Sequence, residues 1–210
     1  LLGQPVIYYS IKAFDDSPVD EIVIVCSADY IEYFRHSIIE KYGFKKVKAI
    51  VQGGKERYNS VYEGLKAANG TDYVLIHDGA RPLVDNEIIV RSMYTVEKEK
   101  ACVAGMPVKD TIKVSDELGY SANTPDRKSL WQIQTPQCFE YDLLAQSYDK
   151  LFSDMSYGKS VPAITDDAMI VEYGSDTKVK LIEGSYENIK VTTPEDMGIA
   201  ELFLKKRRKM

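Results

Sequence analysis

Tyr73-Val74-Leu75-Ile76-His77-Asp78-Gly79-Ala80-Arg81-Pro82 is a short apolar run that breaks into an acid, two small residues and a guanidinium ahead of proline. The run has no polar alternation, so it reads as a strand covered on both faces, and the break reads as the turn that leaves it. Similar runs occur at Ile22-Val23-Ile24-Val25-Cys26, Val47-Lys48-Ala49-Ile50-Val51 and Cys102-Val103-Ala104-Gly105-Met106. Between and after them, helical periodicity predicts helices from Pro5 to Phe14, Asp29 to Tyr42, Asn59 to Ala68, Asn86 to Glu99, Tyr141 to Lys150, Asp166 to Tyr173 and Pro194 to Leu204. Repeated βα units of this kind predict an α/β domain built on a mostly parallel, doubly wound sheet flanked by helices.

In such sheets ligands bind beyond the carboxyl ends of the strands, which is where Asp78 and Arg81 fall. A guanidinium at that edge suits bidentate phosphate binding. A second stretch, Glu187-Asn188-Ile189-Lys190-Val191-Thr192-Thr193-Pro194-Glu195-Asp196, presents a lysine just before a helix start marked by the cap Thr193 and by proline at the first helical position. A third, Gln52-Gly53-Gly54-Lys55-Glu56-Arg57-Tyr58-Asn59-Ser60-Val61, follows a strand and opens a helix. Its small residues let backbone amides approach a ligand, although a Gly-Gly pair before a helix is more often a plain tight turn, and the spacing is not that of a P-loop. His77 reads as a satisfied strand-end histidine rather than a general base, and Asp166-Asp167 reads as a helix cap at least as readily as a metal site.

From Val108 to Phe139 the βα rhythm fails. Two β-leaning runs, Thr111-Ile112-Lys113-Val114 and Leu130-Trp131-Gln132-Ile133, flank a polar segment rich in turn residues, which predicts a protruding arm over residues 108–134. A two-stranded hairpin is marginal in water, so this arm is expected to pack on a second subunit, the alternative being an excursion folded back onto its own domain.

With 210 residues the chain suffices for one domain with a real core. A net charge of -5 argues against broad nucleic-acid affinity, so an anionic ligand must be held by local positive charge. The run Lys205-Lys206-Arg207-Arg208-Lys209 reads as a solvated helix end favoured by the dipole. Cys26, Cys102 and Cys138 are too few and too dispersed for a disulfide framework. No run approaches the roughly 18 apolar residues of a membrane span. These features predict a cytoplasmic protein, or a plastid one if a transit segment has been removed.

The order and spacing of Gly53-Gly54 with Arg57 and Ser60-Val61, His77-Asp78-Gly79-Ala80-Arg81-Pro82, Pro107-Val108-Lys109-Asp110-Thr111, Thr135-Pro136-Gln137, Thr165-Asp166-Asp167-Ala168 and Asn188-Ile189-Lys190-Val191-Thr192 carry a resemblance. Over essentially the whole chain the sequence is similar to the 2-C-methyl-D-erythritol 4-phosphate cytidylyltransferases of the non-mevalonate isoprenoid pathway. The resemblance implies a Rossmann-like nucleotidyltransferase domain spanning residues 1–210, working as a homodimer through the arm. It implies cytidylyl transfer from CTP to the methylerythritol phosphate with release of pyrophosphate, and Mg²⁺ held mainly by the CTP phosphates. It also implies roles: Lys190 stabilising charge on the α-phosphate, Arg81 and Thr192 fixing the reacting phosphates, and Gly53, Gly54 and Ser60 around the cytosine. Asp78 and Gly79 would join the nucleotide site, Asp78 on sugar hydroxyls or hydrated metal. Thr111 and Arg127 on the arm, with Thr135 and Thr165, would meet the methylerythritol phosphate, the arm residues in the partner's site.

The family pattern starts with a strand and a basic glycine-rich loop, whereas this chain starts at Leu1-Leu2-Gly3-Gln4-Pro5, about two dozen residues later. That strand would lie centrally in the sheet, so a chain without it is expected to expose apolar surface and unpaired backbone groups. Two other readings are a cytidylyltransferase for a pentitol phosphate such as ribitol 5-phosphate, and a non-catalytic nucleotide-binding dimer.

Overall fold

The computed structural model describes residues 1–207. Four of the predicted strands form where the apolar runs lie: β1 (Ile22–Cys26), β2 (Val47–Gln52), β3 (Tyr73–Ile76) and β4 (Ala101–Pro107). A short hairpin, β5 (Val114–Ser115) with β6 (Ser121–Asn123), precedes the long β7 (Trp131–Glu140) and a short β8 (Lys180–Glu183). The helices are α1 (Val6–Asp15), α2 (Ile31–Tyr33), α3 (Arg57–Ala67), α4 (Asn86–Glu99), α5 (Tyr141–Ser156), α6 (Asp167–Gly174) and α7 (Pro194–Arg207). Where one helix is expected to reach Tyr42, α2 widens into a π-helix over Phe34–Glu40. That wider turn brings Phe34, Ile38 and Ile39 to one apolar cluster with β1 and β2.

Strands β1 and β2 pair in parallel, while the other main strands form a mixed sheet in the order β3-β7-β4-β8. In it β7 runs antiparallel to both neighbours and β8 parallel to β4. The sheet is thus less uniformly parallel than the sequence suggests, because a long antiparallel strand enters its middle. That strand begins at Trp131, and it corrects the reading of the arm: Leu130-Trp131-Gln132-Ile133 is not half of a hairpin, since Trp131 pairs with Pro107 and Ile133 with Gly105 in the main sheet. The hairpin proper is β5–β6, and every residue from Lys109 to Thr124 is exposed.

Along β4 the side chains alternate between two cores. Ala101 and Val103 pack with Phe139, Leu144, Tyr148 and Ile170 beneath α5 and α6, whereas Cys102 and Ala104 pack with Ile88, Ile89, Val96 and Cys138 beneath α4. This double burial is why the run is continuously apolar. All three cysteines are free thiols.

Between β1 and β3 lies a cleft of about 780 Å³ whose walls include Ile22, Val23, Ile24 and Val25 on one side and Val74, Leu75 and Ile76 on the other. The two strands do not pair with each other, so each presents an unpaired backbone edge to the cleft. At the basic end of α7 Lys205 and Lys206 are exposed, as predicted, and Lys206 and the half-buried Arg207 also pair with Glu187 at 2.9 and 3.3 Å. Arg208 and Lys209 lie outside the described residues.

Candidate active site

The loop after β2, the turn after β3 and the segment before α7 converge on Asp78. Its side chain is 15% exposed and faces three cations: Lys190 Nζ at 3.0 Å from Oδ2, Arg57 Nε at 3.4 Å from Oδ1 and Arg81 Nε at 3.6 Å from Oδ2. Burial works to raise the Asp78 carboxyl, but the Lys190 hydrogen bond and the charges of Arg57, Lys190 and Arg81 outweigh it and hold the group below its ordinary value. Asp78 therefore stays ionised at neutral pH, one carboxylate facing three basic side chains.

Lys190 reaches this point because its segment is stitched to the turn. The Val191 amide donates to the Ala80 carbonyl at 2.8 Å. The fully buried Asn188 donates from Nδ2 to the Thr135 carbonyl at 2.9 Å, and its own carbonyl accepts from Arg81 Nη1 at 2.9 Å. Arg81, expected on the phosphates, has a side chain only 12% exposed and is directed into this brace. Thr192 is exposed, and its amide and hydroxyl both donate to Asp196 Oδ2, at 2.8 and 3.0 Å.

Thr135, expected at the acceptor substrate, is 3% exposed. Its hydroxyl oxygen accepts from the Asp78 amide at 3.1 Å and stands 2.9 Å from His77 Nδ1. With that oxygen already accepting, its proton points to Nδ1, and His77 Nε2–H then donates to the Arg81 carbonyl at 3.1 Å. The Arg81 carbonyl requires Nε2–H, and in the neutral imidazole that leaves Nδ1 to accept the Thr135 proton, so both ring nitrogens are bonded within the fold, in keeping with the structural role that the sequence favours. Burial lowers its pKa to about 4, against the opposing pull of the Arg81 carbonyl. Since the folded value lies below the unfolded value of about 6.5, the associated stability is present above pH 6.5 and is lost as the pH falls towards 4, by on the order of 3 kcal/mol. Urea unfolding across that window should show the loss, and His77→Gln should flatten it; an unchanged slope in the variant would remove His77 as the cause.

Beside the cluster, Gly53, Gly54, Lys55 and Ser60 share a pocket of about 530 Å³ with Cys26 and Ser27 at the end of β1. The Gly54 amide donates to Ser60 Oγ at 3.1 Å, and Glu56 with Asn59 forms a reciprocal cap on α3. Close approach requires both glycines: a Cβ on Gly54 would stand 2.4 Å from Asn59 Cβ, and one on Gly53 2.7 Å from Ser60 Oγ. At Gly79 a Cβ would meet Ile7 of α1 at 2.4 Å, so this glycine lets α1 pack against the turn.

The Asp166-Asp167 pair divides its work. Asp166 Oδ1 accepts from the Met169 amide at 3.0 Å, a helix cap, while Asp167 is fully buried and takes Arg57 Nη2 at 2.7 Å and the Tyr148 hydroxyl at 3.3 Å. Burial pushes the Asp167 carboxyl up, with the Arg57 guanidinium opposing it. Thr165, one residue before the cap, is exposed and its hydroxyl donates to Met169 Sδ at 3.1 Å. Among the described residues no group of three or more His, Cys, Asp or Glu side chains could hold a metal ion. Thr111 and Arg127 stand on the exposed arm, where Arg127 Nη1 donates to the Lys109 carbonyl at 2.8 Å, and neither is bonded to the Asp78 cluster.

Three supporting residues escaped sequence reasoning. Arg57 stands in a quoted motif without a role, Asn188 is hidden beside Lys190, and Gln137 follows Thr135-Pro136 as an apparently ordinary polar residue. Their signal was the presence of hydrogen-bonding side chains in otherwise buried or helix-opening positions, which does not reveal a partner far along the chain.

The family model described as 2-C-methyl-D-erythritol 4-phosphate cytidylyltransferase matches residues 1–206. A protein of that name from Lachnospira eligens is 51% identical over 206 residues, covering 98% of this chain and 88% of the relative. Another from Lachnoclostridium phytofermentans is 47% identical over 208 residues, covering 99% and 87%. Among solved structures, a 4-diphosphocytidyl-2C-methyl-D-erythritol synthase from Anaerococcus prevotii superimposes with a TM-score of 0.86 at 34% identity, covering 97% of this chain and 87% of that one. A cytidylyltransferase from Thermus thermophilus gives 0.76 at 25% identity, covering 97% and 90%.

Proposed function

The chain belongs to the 2-C-methyl-D-erythritol 4-phosphate cytidylyltransferase family, and from that premise we propose how its residues carry the reaction. The protein is a nucleotidyltransferase of isoprenoid precursor biosynthesis. It transfers the cytidylyl group of CTP to 2-C-methyl-D-erythritol 4-phosphate, giving 4-diphosphocytidyl-2-C-methyl-D-erythritol and pyrophosphate. A phosphate oxygen of the acceptor attacks the α-phosphorus in line as the bond to the β-phosphate oxygen breaks, so no residue need become covalently attached. What the protein supplies is alignment and charge.

The observation that carries the assignment of roles is the cation cluster around Asp78, placed beside the Gly53-Gly54 pocket. Lys190, half-exposed on the open side of the cluster, stabilises charge growing on the α-phosphate. Arg81, braced between Asp78 and Asn188, fixes the position of Lys190's segment and adds positive field, with Thr192 at the phosphates. Gly53, Gly54 and Ser60 read the cytosine through backbone and hydroxyl groups, and Asp78 and Gly79, which line the adjoining cleft together with Ser60, receive the ribose. Thr135 sets the Asp78 backbone, and Thr165 takes part in acceptor binding.

A hard divalent cation wants six or more oxygens, and this site offers the single carboxylate of Asp78. The residues thus fit Mg²⁺ held mainly by the CTP phosphates, where it would neutralise charge on the leaving pyrophosphate. The exposed arm supports a homodimer in which Thr111 and Arg127 complete the partner's acceptor site: Leu118 and Tyr120 are 83% and 70% exposed, a poor arrangement for a lone chain. We place the protein in the cytoplasm, in keeping with its bacterial relatives.

Pyrophosphate release by the full-length protein with CTP and Mg²⁺ tests the reading. Release is expected with 2-C-methyl-D-erythritol 4-phosphate and not with ribitol 5-phosphate; the opposite preference would transfer the function to a pentitol phosphate. Silence with both, despite measurable CTP binding, would indicate a nucleotide-binding dimer without catalysis.

A further inference from the structure

Arg57 is the first residue of α3, yet its guanidinium serves two carboxylates from different parts of the chain. Nη2 donates to Asp167 Oδ2 at 2.7 Å and Nε to Asp78 Oδ1 at 3.4 Å. Asp167 is fully buried at the start of α6, where a lone carboxylate would be costly, and its second oxygen takes the Tyr148 hydroxyl at 3.3 Å. One end of the guanidinium is therefore fixed by a rigid, water-free partner, which leaves the other end aimed at Asp78. Asp78 Oδ2, in turn, holds Lys190 Nζ at 3.0 Å.

We propose that Arg57 is a positioning residue for cytidylyl transfer: anchored by buried Asp167, it fixes the Asp78 carboxylate and through it sets where the Lys190 ammonium stands. The inference rests on the role given to Lys190 above. A planar fork reaches both acids at once, whereas an ammonium is a point charge that reaches one. Arg57 also locks the pocket-bearing loop after β2, the turn after β3 and the start of α6 two residues beyond Thr165 into one register. A misplacement of about 1 Å at a reacting group is enough to reduce turnover by about a hundredfold.

Arg57→Lys separates this role from a structural one, because lysine can still neutralise Asp167 but cannot also hold Asp78. In the full-length protein the expected result is a kcat lowered about tenfold or more, with the KM for CTP changed by less than about threefold and an unfolding midpoint close to that of the parent. The same change made in an Asp78→Asn background should lower the residual kcat by less than about twofold, since the path through Asp78 is already lost. Asp167→Asn, which keeps the size of the anchor and removes its charge, should behave alike and serves if Arg57→Lys fails to fold. Equal losses with and without the Asp78 carboxylate, or a parental kcat in a folded Arg57→Lys, would overturn the proposal. The parent protein is assayed alongside with CTP and 2-C-methyl-D-erythritol 4-phosphate. An inert parent overturns the functional reading and this inference together, whereas an active parent with an unaffected variant overturns only the inference.

Discussion

Lys190→Ala is expected to lower kcat by on the order of a hundred- to a thousandfold, the loss usual when a preorganised group facing developing charge is removed. The ammonium stands 3.0 Å from Asp78 Oδ2, and its side chain is 43% exposed, so it is held in place while open to a ligand. The fold should be indifferent to the change. The backbone of the segment is fastened independently by Val191 to Ala80 and by Asn188 to Thr135 and Arg81. Two cations, Arg57 and Arg81, still face Asp78 after truncation, so the carboxylate is not stranded. Steady-state kinetics paired with a thermal melt checks the expectation. If kcat fell less than about fivefold, charge stabilisation would have to come from elsewhere and Lys190 would be demoted to a structural counter-ion.

The largest effect on stability is expected at Gln137. Its side chain is 2% exposed, and Oε1 accepts from the amides of Asp167 and Ala168 at 2.9 and 3.1 Å, the unpaired donors that open α6. Nε2 donates to Asp166 Oδ2 at 3.1 Å and to the Gln134 carbonyl at 3.4 Å. Gln137→Ala leaves those two amides buried without a partner and opens a cavity between β7 and α6. Unmet buried donors cost about 1–3 kcal/mol each, and relaxation recovers part, so a loss of about 3–5 kcal/mol is expected. Gln137→Glu should lose less: a carboxylate can still accept from both amides at the positive end of the helix, although it forfeits the donation and repels Asp166. Urea midpoints at constant m-value measure both. An alanine variant within about 1 kcal/mol of the parent would mean that water or α6 itself satisfies those amides.

Much of the fold was legible from local pattern. The apolar runs at β1, β2, β3 and β4 each became a strand, those at β3 and β4 being continuously apolar because alternate residues enter the cores on either side, and α4 begins and ends where its periodicity does, capped by Asp85. The Gly53, Asp78 and Lys190 segments stood out in the sequence too, because small residues, acids and cations at strand exits have few uses inside a core, and the fold brings their loops to Asp78.

Other features were beyond such reading. The segment from Trp131 to Ile133 looked like part of an arm, yet it opens the central antiparallel strand, because β-leaning residues announce a strand without naming its neighbour or direction. Strand β8, four residues with three exposed, gave almost no pattern and owes its existence to the β4 edge. Arg57 and Asp167 are 110 positions apart, and neither residue alone indicates the other. Thr135, a plausible substrate hydroxyl on paper, is turned inward by His77 and the Asp78 amide.

The sequence by itself thus determined where the four apolar strands and most of the helices lie and which turn-rich loops follow them, since periodicity and turn residues are properties of neighbouring positions. The tertiary structure alone decided which strand runs antiparallel, which acid caps and which is buried, and which cation is braced and which remains exposed. Those outcomes depend on the desolvation of charges and on backbone pairing between distant segments, and both are set only when the segments meet.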